Sequence, residues 1–239
     1  MSTLLLRLAA PLQAWGDSSK FASRGTRREP TKSGVLGLLA AADGRRRTDA
    51  IEDLVGLRFG CRIDQPGRVM RDYHTSTRWQ RGESQAHSLS ERYYLADAVF
   101  LAGVEGDRDL LDRIVSVLRE PTFPLYLGRR SCPVVGEVVL DLVDEELEAA
   151  LRAAPWQAAR WYRASLGQNV SLELALDEAS ASQDARAQGV IETVRDLPTS
   201  FDPERRGYTW RRVVRAWEDK SNPDGRQRPD FLAALGGAL

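Results

Sequence analysis

Histidine and cysteine are scarce in this chain, each occurring only twice, as His74 and His87 and as Cys61 and Cys132. Neither cysteine belongs to a C-x-x-C pair, so no disulfide framework and no thiolate metal site is expected. No metal or organic cofactor is expected either. With two histidines and no G-x-S-x-G elbow, a serine-hydrolase triad has little to build on. Net charge is absent too: 34 lysines and arginines balance 34 aspartates and glutamates. Proteins that bind nucleic acid indiscriminately are usually strongly basic, so any such activity here must come from local patches. No apolar run reaches the length of a membrane span, and residues 3–10 are too short and interrupted for a signal peptide. A cytoplasmic protein without a membrane partner is expected.

Glycine is missing where a nucleotide-binding phosphate loop requires it. Thr31 stands directly before Lys32-Ser33, and Thr26 stands five residues earlier. What the segment Arg24-Gly25-Thr26-Arg27-Arg28-Glu29-Pro30-Thr31-Lys32-Ser33-Gly34 does offer is positive charge and hydroxyls ahead of an apolar run at 35–42. That run reads as a helix over about 34–43, closed by Gly44. Free N–H groups and the dipole at a helix start attract phosphate, although the same residues also suit a solvated basic loop capping a core helix. Further basic patches are Arg45-Arg46-Arg47, Arg129-Arg130 and the stretch from Arg205 to Arg215. Acid collects at Asp141, Asp144, Glu145, Glu146 and Glu148. Such segregation suits an anion-binding face and an acidic remainder facing protein partners.

Apolar patterning predicts strands at 3–9, 55–63, 93–103 and 134–143. An amphipathic helix spans 107–120, with Leu110, Leu111, Ile114, Val115 and Leu118 on one face and Pro121 as terminator. Residues 75–92 are almost devoid of apolar side chains and read as a long hairpin arm or a mobile loop between strands. The order is βαββαβ, a ferredoxin-like (RRM-like) α+β arrangement found in many RNA-recognition domains. This domain is expected over 1–145. A less regular lobe and tail are expected over 146–239, with a short acidic helix, weak strands near 170–176 and 208–217, and Trp156, Trp161, Trp210 and Trp217 in its core.

Two clusters carry chemistry. In residues 124–133, Gly128 permits close backbone approach, Arg129 and Arg130 supply forked donors, Ser131 a hydroxyl, and Tyr126 a ring for stacking. A rigid connection with solvated arginines is the alternative. Trp15, Tyr73, Trp79 and Tyr93 lie near basic residues in the manner of single-strand RNA binding, where stacking contributes about 1–3 kcal/mol per base. At the root of the arm His74 could act as a general base, with Tyr73 and Lys20 or Lys32 completing a metal-independent endoribonuclease.

Taken together, Leu5-Leu6-Arg7-Leu8, Pro11-Leu12-Gln13-Ala14-Trp15-Gly16, Pro30 to Leu39, Arg71-Asp72-Tyr73-His74-Thr75, Tyr93 to Ala98 and Tyr126 to Pro133 resemble the CasD family of subunits. These subunits, of the RAMP superfamily, belong to the type I-E CRISPR surveillance complex, Cascade. The motifs lie in family order across residues 3–135. The resemblance implies a ferredoxin-like domain with a thumb hairpin at about 75–92. It also implies a non-catalytic subunit of a ribonucleoprotein for antiviral defence that grips and caps the 5′ handle of the CRISPR RNA. The CasC backbone subunit, the large CasA subunit and other Cascade subunits are the implied neighbours, with target DNA engaged through the complex. On this reading Arg27, Arg28, Lys32, Thr31 and Ser33 hold handle phosphates. Gly128, Arg129, Arg130 and Ser131 contact its backbone or bases, and Gln13 and Trp15 shape a base pocket. Tyr73, His74 and Arg78 of the arm lock the junction with the spacer. Relatives in another subtype cleave RNA, which keeps the endoribonuclease as the alternative. A structural scaffold whose arginines meet acidic partners is a third reading.

Overall fold

The computed structural model describes residues 1–16, 23–76 and 88–226. Its first strand, β1 (Ser2–Ala9), sends Leu4, Leu6 and Leu8 into one apolar layer and Leu5 into the other, as side-chain alternation requires. Two short strands, β2 (Leu12–Gln13) and β3 (Ser23–Arg24), precede α1 (Lys32–Ala42). That helix is capped by Thr31, whose Oγ1 accepts the Gly34 N–H at 3.2 Å. α2 (Glu52–Val55) leads into β4 (Arg58–Gln65). β5 (Arg68–Ser76) and β6 (Ser88–Ala96) form a hairpin whose ladder runs from Arg68↔Ala96 to Ser76↔Ser88. Next come β7 (Val99–Gly106), α3 (Arg108–Arg119) and β8 (Val139–Val143). Asp107 caps α3 by accepting the Asp109 and Leu110 N–H groups at 3.1 and 3.2 Å. α4 (Leu147–Ala153), α5 (Arg160–Arg163), β9 (Asn169–Asp177), α6 (Gln183–Gln188), β10 (Val190–Ser200) and β11 (Gly207–Ser221) complete the described chain.

The fold is mixed α+β with mostly antiparallel strands. One seven-stranded sheet runs β10-β11-β9-β4-β7-β1-β8, and β2, β3 and β5 join β6 in a smaller one. α1, α2 and α3 cover one face of the large sheet, burying Val35, Leu36, Leu39, Leu54, Leu111, Ile114 and Leu118 against Phe59, Phe100 and Val104. α4 covers the other face, where Leu147 and Leu151 meet Leu5, Leu101, Leu174 and Leu176. Gly103 allows this close approach: a Cβ there would lie 2.5 Å from Leu147 Cδ1.

Four expectations are corrected. The strand expected at 93–103 is two strands in different sheets, broken at Asp97. That residue has φ +62°, its N–H donates to the Pro11 carbonyl at 3.0 Å, and its own carbonyl accepts Gln65 Nε2 at 2.6 Å. The strand expected at 134–143 shrinks to β8, because Gly136 turns the chain with φ +77°. The lobe expected after residue 145 is not separate: the strands expected near 170–176 and 208–217 are β9 and β11, and with β10 they extend the same sheet, β9 pairing β4 from Gly60↔Leu176 to Arg62↔Leu174. The physical reason is that β4 would otherwise present an open, apolar sheet edge. The tryptophans expected in that core lie outward: Trp161, Trp210 and Trp217 are largely exposed, and Trp156 is half-buried with Nε1 donating to the Asp64 carbonyl.

A basic groove between helix α1 and the 126–133 loop

The start of α1 does bind an anion, but the anion belongs to the chain. The β10–β11 ladder slips between Val194 and Leu197, and Asp196 turns under the helix at 1% exposure. Its Oδ2 accepts the Lys32 N–H at 2.8 Å. Lys32 Nζ pairs with Asp177 at 3.0 Å, and Thr31, Lys32 and Ser33 are all buried. Thr31 and Lys32 are therefore removed from the phosphate contacts expected of them, because a carboxylate brought in by tertiary packing occupies the dipole end of the helix, whereas Ser33 lines the groove described below. Paired in this way, Lys32 cannot serve as the endoribonuclease cation; Lys20 lies outside the described residues.

Arg27 is likewise drawn inward, within 3.1 Å of Glu29 and 3.4 Å of Glu192, while Arg215 bridges both acids at 2.7 and 2.6 Å. Burial pushes the Arg215 guanidinium down, but the facing Glu29 and Glu192 outweigh it and hold it above the ordinary value. Arg28 is exposed and points elsewhere, into a crevice of about 650 Å³ that it shares with Trp156 and Tyr162. Gln13 and Trp15 cannot form a base pocket, being 0% and 1% exposed. Gln13 Nε2 donates to the Leu8 and Ala98 carbonyls at 3.2 and 2.8 Å, and its Oε1 accepts Trp15 Nε1 at 3.1 Å. Tyr73 and His74 lie on the hairpin, on opposite faces by alternation. Tyr73 is exposed with Arg71 over its ring, and His74 Nε2 contacts Asp72. Arg78 falls outside the described residues.

The loop after α3 is tied into a tight turn. Tyr126 and Pro133 form a β-bridge, the Leu127 N–H donates to the Cys132 carbonyl at 2.8 Å, and the Cys132 N–H to the Arg129 carbonyl at 2.8 Å. Ala14 N–H in turn donates to the Leu127 carbonyl at 3.1 Å. At the tip of the turn Gly128 has φ +86°, and a Cβ there would lie 1.6 Å from the Ala14 carbonyl oxygen. Gly128→Ala is expected to destabilise the protein by about 3 kcal/mol, through left-handed strain and the clash together. A thermal melt checks this, and an unshifted midpoint would show that the turn tolerates a side chain.

Arg129 and Arg130 diverge from this turn. Arg129 lies inward over the Tyr94 ring, 4.7 Å from its centroid, and donates Nη2 to the Arg24 carbonyl at 2.7 Å. Arg130 is exposed and lines a groove of about 670 Å³. One wall of that groove is the outer face of α1 at Gly34, Gly37 and Ala41. Phe123, Tyr126 and Gly128 form another, and Phe201 and Arg206 arrive from the β10–β11 connection. Arg45, Arg46 and Arg47 close it at the end of α1. Arg45 is neutralised by Asp53, at 2.5 and 2.6 Å, and by Asp43 at 2.8 Å. The Arg45 guanidinium holds the Asp53 carboxyl below the usual carboxylate range. Arg46 and Arg47 extend exposed side chains. Arginine forks beside exposed aromatic faces are the combination that grips an unstacked polynucleotide. Of the site residues expected, Ser33, Gly128 and Arg130 meet in this groove. Phe123, Phe201, Arg206 and the 45–47 run were missed as a site, the arginine patches alone having been visible as local composition.

Comparison with known proteins agrees with the sequence resemblance and extends it. A family model described as CRISPR-associated protein (Cas_Cas5) matches residues 3–214, well beyond the motifs at 3–135. The chain is 34% identical over 159 residues to the CRISPR system Cascade subunit CasD of Escherichia coli (strain K12), covering 58% of this chain and 70% of that one. A solved chain described as "CRISPR RNA-guided surveillance complex" superposes with a TM-score of 0.76 at 28% identity, over 98% of both chains. Another, described as "Crystal structure of Cas protein", gives a TM-score of 0.64 at 34% identity, over 95% of this chain and 99% of that one. The chain belongs to the Cas5 family of CRISPR-associated proteins.

Proposed function

We propose that this protein is a non-catalytic, RNA-binding subunit of a cytoplasmic Cascade-type surveillance complex, and that its groove holds the 5′ handle of the CRISPR RNA. One observation carries the reading: chain-distant segments at 45–47, 123–130 and 201–206 bring arginines and aromatic rings to a single open groove. The similarity to CasD and to a chain of an RNA-guided surveillance complex supports it. On this reading β1, α1, β4, β7, α3 and β8 form a ferredoxin-like unit and the β5–β6 hairpin is its thumb. CasC, CasA and the remaining Cascade subunits are the partners, and target DNA is met only through the assembly.

The test is filter binding of handle RNA to the Arg46→Ala/Arg47→Ala/Arg130→Ala variant across a salt series. Three lost phosphate contacts should lower affinity by about 100-fold and reduce the salt slope by about 2, at roughly 0.7 per single-strand phosphate. Wild-type affinity and slope in that variant would sink the reading. The non-catalytic part is tested by incubating the protein with repeat RNA in EDTA: the RNA should stay intact, whereas site-specific cleavage lost in His74→Ala would make the protein a nuclease.

A further inference from the structure

Thirteen residues, 227–239, follow the last described one, and the chain leaves for them at the mouth of the crevice that takes Arg28. Packing fixes the point of exit. Asn222 Nδ2 donates to the Arg163 and Gly167 carbonyls at 2.9 and 2.8 Å, and Asp224 pairs with Arg163 at 3.1 Å. The Arg226 N–H then donates to the Leu166 carbonyl at 2.9 Å. Arg226 itself lines the crevice, beside Trp156, Tyr162, Leu166 and the first half of β9. Pairing of β9 with β4 ends at Leu174, while its ladder with β11 runs on to Asn169. Residues 169–173 therefore turn an open strand edge into the crevice. An open edge flanked by apolar walls is where an extended segment adds. Burial alone pushes the Tyr162 phenol up. The acids of the lining are taken, Glu173 by Arg215 at 3.1 Å and Asp64 by Arg62 at 2.7 Å. Among the described residues no carboxylate pairs with Arg28 or Arg226, so the rim is left positive.

We propose that the C-terminal segment 227–239 docks in this crevice, laying Phe231 and Leu232 against Trp156 and Tyr162 with Asp230 facing Arg28. Composition and tether both favour this occupant. Phe231 and Leu232 supply the apolar surface that the walls would otherwise expose to water. Asp230, directly before them, supplies the acid that Arg28 and Arg226 lack. Pro229 has no N–H to donate, which a segment added at a sheet edge tolerates. Four residues beyond Arg226 span at most about 14 Å, enough for Asp230 to cross a crevice of about 650 Å³. A short flexible tether holds its end at an effective concentration of about a millimolar. Docking as weak as about 0.1 mM then fills the crevice roughly nine-tenths of the time. Docking here involves none of the groove residues and stands apart from the RNA-binding reading.

The test keeps the full chain. Ala233→Cys is labelled with bimane, a fluorophore that tryptophan quenches on contact; Cys61 and Cys132, 0% and 1% exposed, stay unlabelled. Emission should be quenched at every protein concentration. Trp156→Phe should restore it, whereas Trp210→Phe, at the other end of β11, should not. In hydrogen exchange, the amides of 169–173 should exchange about tenfold more slowly in wild type than in Phe231→Ser/Leu232→Ser. Arg28→Gln should lose part of that protection at low salt and little at high salt, as a screened ion pair does. Unquenched bimane, with equal exchange in wild type and the double serine variant, would overturn the proposal. So would quenching that fades on dilution, which would place the segment on a second copy. Protection of 169–173 that appears only with handle RNA, or only with other Cascade subunits, would assign the crevice to those partners and overturn it as well.

Discussion

Arg62→Ala is expected to lower stability by about 3–5 kcal/mol, the range for stripping one partner from a buried ion pair. Arg62 sits on β4 with no exposed surface. Its Nε and Nη2 fork onto the two Asp64 oxygens at 2.7 and 3.0 Å. The remaining donors go to the Leu151 and Ala154 carbonyls at 2.5 and 2.8 Å, through Nη1, and to the Pro155 carbonyl at 2.8 Å, through Nη2. Those carbonyls belong to the C-terminal end of α4, where a helix leaves acceptors without intrahelical partners. One guanidinium thus pairs a buried aspartate and closes the helix that covers the second face of the sheet. Alanine would leave the Leu151 and Ala154 carbonyls without this donor and Asp64 with only the Gln157 N–H on its carboxylate, all in a dry interior. For a chain of this size the melting midpoint should fall by about 10 °C or more. Arg62→Lys should recover only part, since an ammonium cannot reproduce the fork. A midpoint within about 2 °C of wild type would mean that water enters and solvates Asp64.

Arg211→Leu is expected to have a comparable effect on stability and a further one on binding. Arg211 Nε and Nη2 hold the Asp196 oxygens at 2.6 and 2.9 Å, and Nη1 holds Asp177 Oδ1 at 2.6 Å. Burial pushes its guanidinium down, and Asp196 and Asp177 more than offset this, leaving it above the ordinary arginine value. Asp177 also accepts the Phe59 N–H at 2.8 Å and Lys32 Nζ at 3.0 Å. Without Arg211, Asp177 keeps the Lys32 ammonium but Asp196 is left with only the Lys32 backbone N–H, and the loss should again be about 3–5 kcal/mol. The same cluster fastens β10 and β11 to the start of α1, and the connection between those strands carries Phe201 and Arg206 into the groove. On the proposed RNA-binding reading, affinity for handle RNA should therefore fall about tenfold even at temperatures where the variant is folded, by loosening of one groove wall. Affinity equal to wild type in a folded variant would show that this wall is set by other contacts.

Local signals carried the reading of α1, α3 and the strands around them because each signal is short in range. Thr31 and Asp107 cap helices through their own next few residues, Gly44 ends one, and the leucine alternation of β1 is a matter of neighbouring positions. The polar stretch 75–92 is flanked by strands that pair as β5 and β6, and its residues 77–87 lie outside the described residues. The basic segment at 24–32 misled because charge in sequence does not reveal its partner. Lys32 and Arg27 look like cations for a polyanion until Asp177, Glu192 and Asp196 arrive from more than a hundred residues away. Gln13 and Trp15 look like a pocket until the Leu8 and Ala98 carbonyls take up the amide.

The amino-acid order alone determined that this chain would build capped helices against an alternating apolar sheet, carry arginine patches within zero net charge, and bear the motifs of its family. Which arginines are free was decided only by tertiary packing. Pairing of β9 with β4 extends the sheet, brings Asp177 and Asp196 onto Lys32 and Arg211, and leaves Arg46, Arg47, Arg130 and Arg206 around an open groove. Coulomb attraction acts through space and not along the chain, so a residue's neutralisation depends on which distant strand lies beside it.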